Sequence, residues 1–85
     1  MNDLNRLYKK IRKKLYLGVS DTTIYRIVDE CADRTKRLGI DMKELLHDDV
    51  SVYVNDETFE IDIIQKSDLG IFWSFDLNTG ELVGT

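Results

Sequence analysis

Eighty-five residues, 42% of them apolar and none of them proline, suffice for one hydrophobic core and are too few for two, so one ordered domain is expected, with disorder confined to its extreme ends. The formal charge of −4 conceals a division: residues 1–37 hold ten Lys or Arg against five acids, and residues 38–85 hold two against eleven. The lone cysteine, Cys31, excludes an internal disulfide and a cysteine-based zinc site within one chain, and no run reaches the roughly 20 apolar residues of a membrane span.

In chain order, Leu4, Leu7, Tyr8, Ile11 and Leu15 repeat at three-four spacing and predict an amphipathic helix, capped by Asn2 or Asp3 and ended by Gly18. Its outer positions carry Arg6, Lys9, Lys10, Arg12, Lys13 and Lys14, and no apolar signal run is present. Ser20 or Asp21 caps a second helix whose inner side holds Ile24, Ile27, Val28, Cys31, Thr35 and Leu38, with Gly39 at its end. Asp41 is expected to cap a short third helix, MKELL.

From Val50 the apolar period falls to two, the mark of half-buried strands. A hairpin tip at Asp56 and Glu57 sets Val54 against Phe59, Val52 against Ile61 and Val50 against Ile63. A second bend at Ser67 sets Ile63 against Ile71, Ile61 against Trp73 and Phe59 against Phe75. A third, Asn78-Thr79-Gly80, brings Val83 opposite Phe75. The apolar residues then share one face. The expectation is a single α+β domain over residues 1–85, with a helical part at 1–46 and a sheet at 50–84. A helical hairpin, plus the short third helix, packs on one face of a four-stranded antiparallel meander in the order αα(α)ββββ.

This pairing turns Tyr53, Glu60, Asp62, Phe72, Ser74, Asp76 and Leu82 to the other face, which two helices cannot also cover. Aromatic residues ringed by carboxylates suit docking onto a basic protein surface, the rings supplying contact area and the acids steering encounter. The expected function is therefore a non-catalytic interaction module, an inhibitor, immunity-type protein or accessory regulator. Its contact residues are Tyr53, Glu60, Asp62, Phe72 and Asp76, and its partner is a basic protein such as a nucleic-acid enzyme or a toxin. The expected setting is cytoplasmic, with no membrane contact and no cofactor.

Two alternatives stand beside it. Leu17, Gly18, Val19, Ile24 and Ile27 fall where a helix-turn-helix places its core residues and turn glycine, which would make Thr22, Thr23, Tyr25 and Arg26 DNA contacts. Against this, Lys14 stands where that motif wants a small residue, and charges over residues 17–40 cancel, whereas phosphate contacts need concentrated positive charge. The other alternative is self-association, through the edge strands at Val50–Val54 or Glu81–Val83, or through the basic first helix against the acidic sheet of a second copy. Catalysis is not expected. His47 is the sole histidine, Asp48, Asp49, Asp56 and Glu57 lack calcium-loop spacing, and no phosphate-binding or nucleophile-elbow motif occurs.

Overall fold

The computed structural model describes residues 2–15, 18–68 and 70–83. Two α-helices, α1 (Asp3–Arg12) and α2 (Asp21–Leu38), precede a three-stranded antiparallel sheet of β1 (Val50–Asn55), β2 (Glu60–Gln65) and β3 (Gly70–Asp76), in the order β1-β2-β3. Leu7 and Ile11 of α1, and Ile24, Ile27, Val28, Cys31 and Thr35 of α2, are buried against Val50, Val52, Ile61, Ile63 and Phe75 of the sheet. Among the described residues no helix is long and apolar enough to cross a membrane.

The capping residues act as their chemistry dictates. Asn2 Oδ1 accepts from the Asn5 N–H at 2.8 Å, and Ser20 Oγ accepts from the Thr23 N–H at 3.2 Å. Gly39 closes α2 in the left-handed region at φ 71°. Replacing Ser20 with Ala orphans the Thr23 donor and is expected to cost about 1 kcal/mol, read as a lower urea midpoint at unchanged slope. An unchanged midpoint would mean that water satisfies this helix start equally well.

Several expectations need correction. The first helix stops at Arg12, well before Gly18, because Lys14 and Leu15 donate to the carbonyls of Ile11 and Arg12 and tighten the last turn. Leu38 lies outside the core at 63% exposure. The expected third helix is a five-residue 3₁₀ turn, Met42–Leu46, too short to nucleate an α-helix. It is held at both ends, by Asp41 on the Lys43 N–H and by Lys10 Nζ donating to the Leu45 and His47 carbonyls.

The sheet has three strands, not four. Beyond β3 a turn closed by Gly80 N–H on the Asp76 carbonyl leads to Leu82, which makes an isolated bridge with Phe75. Of Glu81–Val83 this one residue pairs, and the end of the expected fourth strand, at residue 84, lies outside the described residues. The strand partners also differ. Val54 faces Ile61, Val52 faces Ile63, and Ile61 faces Phe75. Asn55 Oδ1 accepts from the Glu57 and Thr58 N–H groups and widens the first loop to residues 56–59, with Phe59 at φ 53°. The shift is two residues, so each side chain keeps its face.

Candidate functional site

The face of the sheet turned away from the helices is built in three cross-strand rows. Ser51, Ile64 and Ile71 form the first, Tyr53, Asp62 and Ser74 the second, and Asn55, Glu60 and Asp76 the third. Tyr53 is 55% exposed and Ile71 62% exposed, with Ile64 half-buried between their strands. Apolar surface therefore occupies one end of the face and carboxylates the other. Glu60 sits directly opposite Asp76, a like-charge pairing that costs sheet stability until a cation intervenes. Asp76 also accepts from the Asn78 N–H at 2.7 Å, so Glu60 and Asp62 hold the freer charge.

The structure brings Tyr53, Glu60, Asp62 and Asp76 together and sets Phe72 apart. Between Ile63 and Ile64 the ladder shifts, leaving Phe72 as the unpaired residue of a bulge in β3. Phe72 packs against the core beside Trp73, with ring centroids 5.8 Å apart, and borders a depression shared with His47, Val50 and Gln65. Ile71 takes the outward place. Three consecutive apolar residues, Ile71-Phe72-Trp73, cannot all obey a period of two, and that was the available signal for the break. Leu82 is likewise corrected: paired with Phe75, it shares the inner face and packs on the core.

Three of the four residues of the DNA-reading alternative are engaged elsewhere. Arg26 Nη1 donates to the Thr79 carbonyl at 3.0 Å, Thr23 Oγ1 lies 3.0 Å from Ser20 Oγ, and Tyr25 stacks on Tyr8. Thr22 is exposed, and Leu17 of the motif lies outside the described residues. The Glu81–Val83 segment named for edge pairing lies along β3, with Asp76 N–H donating to the Glu81 carbonyl and Val83 N–H to that of Ser74.

The titratable groups that depart from ordinary values have structural causes. Burial pushes the Cys31 thiol up to about 12, which leaves it an inert core residue. Burial lowers Lys10, with Lys66 adding to the effect and Asp48 opposing it. The Ser67 hydroxyl, donating to Asp49 at 2.7 Å, holds that carboxyl below its usual range. Asp49 thereby ties the start of β1 to the β2–β3 turn. Among the described residues no three His, Cys, Asp or Glu side chains gather as a metal-ligand set. Compared with protein-family models, curated proteins and solved structures, the chain shows no match to any.

Proposed function

We propose that this chain is a non-catalytic interaction module, of the inhibitor, immunity-type or accessory-regulator kind, which docks its open sheet face onto a basic protein. One observation carries the reading: two strongly exposed apolar side chains, Tyr53 and Ile71, adjoin the carboxylates Glu60, Asp62 and Asp76 on a surface no helix covers. Tyr53 and Ile71 supply the area that excludes water, while the acids draw in a cationic partner. A lysine or arginine from that partner, placed between Glu60 and Asp76, would turn an unfavourable pair into two favourable ones.

The test uses a basic partner captured on immobilised protein, with the double variant Glu60→Lys/Asp62→Lys alongside the native chain. The on-rate is expected to fall about tenfold or more at low ionic strength, and the difference to shrink as salt screens the field. Ile71→Ala should act chiefly on the off-rate. Unchanged association in the double variant at low salt removes this face from consideration. The DNA-reading alternative gains no support from a second helix whose Arg26 and Thr23 are spent on the fold.

A further inference from the structure

The outward side of α1, across the core from the open sheet, carries cations that neither the fold nor the sheet-face reading uses. Arg6, Lys9, Lys10 and Lys13 line a depression that Leu46 and Asp48 complete. Lys9 and Lys13 also line a second depression with Tyr8 and Arg12, so they form the ridge between the two. Two of these cations are committed to the fold. Lys10 donates to the Leu45 and His47 carbonyls, and Arg12 to that of Val19, with Asp21 4.0 Å away. Arg6 lies 3.7 Å from Asp3, with its side chain 54% exposed. Lys9 and Lys13 are exposed and, among the described residues, have no acid within 4.0 Å.

The acids of α2 do not cancel this ridge. Tyr8 is level with Tyr25 and Arg12 with Asp21, so the helices run antiparallel and Asp29 falls at the level of Leu4. At 1.5 Å per residue that is about 7.5 Å along the axis from Lys9 and about 13.5 Å from Lys13. Glu30 and Asp33 are ion-paired with Arg34 and Arg37, each at 2.9 Å. Beside the ridge α2 presents Tyr25 instead. Its stack on Tyr8, with centroids 4.6 Å apart and planes 11° from parallel, occupies one face of the ring, and Tyr25 remains 47% exposed.

An anionic bilayer suits this surface poorly, because Leu7 and Ile11, the apolar side of α1, are buried in the core. An acidic protein also suits it poorly, since a protein interface wants an apolar centre and the ridge has lysines there. A phosphate backbone asks for spaced cations and little else. α1 is flanked by α2 on one side and by the 3₁₀ turn on the other, which keeps it out of a duplex groove, whereas a flexible strand can follow the ridge. We propose that α1 binds a single strand of DNA or RNA without reading its sequence, with phosphates on Arg6, Lys9 and Lys13 and a base stacked against Tyr25. The acidic sheet does not oppose this, because the molecule is at least 23 Å across and the Debye length at 0.1 M is about 10 Å. Strand binding and sheet docking use opposite sides, so each stands or falls without the other.

Fluorescence anisotropy of a labelled single strand of mixed sequence, about 12 nucleotides long, tests this. The dissociation constant is expected on the order of 1 µM at about 20 mM salt and to rise about a hundredfold by about 200 mM, as three phosphate contacts to a single strand imply. Lys9→Glu/Lys13→Glu should weaken binding about tenfold or more at low salt and flatten the salt dependence. Tyr25→Ala should weaken it about fivefold or more, and Tyr25→Phe should not; on a duplex of the same sequence neither should matter. An unchanged urea midpoint verifies that each variant keeps its fold. Where Tyr25→Ala lowers that midpoint, the lysine pair, on the exterior of α1, carries the test. Absence of binding at low salt overturns the proposal, as does binding indifferent to the lysine pair. A Tyr25→Ala loss that is absent on the single strand, or equal on the duplex, overturns the single-strand assignment. Binding through Lys9 and Lys13 to anionic lipid vesicles but not to the oligonucleotide overturns it in favour of a membrane surface.

Discussion

Phe75→Ala is expected to leave the domain unfolded or at the edge of unfolding at room temperature. Phe75 is fully buried, faces Ile61 across the β2–β3 ladder and Leu82 across the isolated bridge, and is the largest fully buried side chain among the described residues. Truncating such a residue removes its transfer free energy and leaves a cavity, together about 3–5 kcal/mol. Small domains hold a total near the low end of about 5–15 kcal/mol, so most of the stability goes with one side chain. Urea denaturation followed by tryptophan fluorescence measures it, Trp73 being the reporter. Phe75→Leu, which retains most of the volume, should remain folded, and Leu38→Ala at an exposed position should shift stability by less than about 0.5 kcal/mol. A loss below about 1.5 kcal/mol for Phe75→Ala would show that the core closes around the gap, contrary to its position on β3 between Ile61 of β2 and Leu82.

Gly80→Ala is the second large effect. Gly80 sits at φ 77°, where an L side chain is strained, and a Cβ there would lie 3.0 Å from the Thr23 carbonyl oxygen and 3.1 Å from Arg26 Cβ and Cδ. Gly39 has nearly the same backbone, φ 71°, but open space where its Cβ would stand. The pair separates two costs. Gly39→Ala should lose the left-handed penalty alone, about 1–2 kcal/mol. Gly80→Ala should lose that and an overpacking term, about 2–4 kcal/mol in all, or on the order of 10–25 °C in Tm for a domain of this size. Calorimetry that finds the two variants melting together would mean the turn swings away from α2 without cost.

Where local chemistry acts alone, the sequence was a sufficient guide. Ser20 and Asn2 accept from the first-turn donors of their helices because that is what such side chains do before an apolar stripe, and Gly39 takes the conformation that other residues resist. The acidic face was legible for a related reason. A misplaced loop closure of two residues at Asn55 moves Val54 from Phe59 to Ile61 but returns Tyr53, Glu60 and Asp62 to the same side. Errors of one residue are not forgiven in this way. The ladder shift at Ile63/Ile64 sends Ile71 out and Phe72 in, and pairing of Leu82 rather than Val83 with Phe75 reverses that segment. Period-two arithmetic assumes an uninterrupted ladder, and it fails where side-chain packing breaks one. The Tyr8–Tyr25 stack was out of reach for a different reason: the level of one helix against another depends on their shared packing, which neither stripe encodes by itself.

The clasp between Arg26 and the Thr79 carbonyl joins positions 53 residues apart. On a ribosome adding about 5–20 residues each second, roughly 3–10 s separate the synthesis of these two partners. By the end of that interval both helix segments have been made, while the berth on α2 that will receive Gly80 stands vacant. Chaperone contact and proteolytic nicking should concentrate on the opening turn of α2 in that window, and a chain stalled before Thr79 should remain vulnerable there however well its helices have formed.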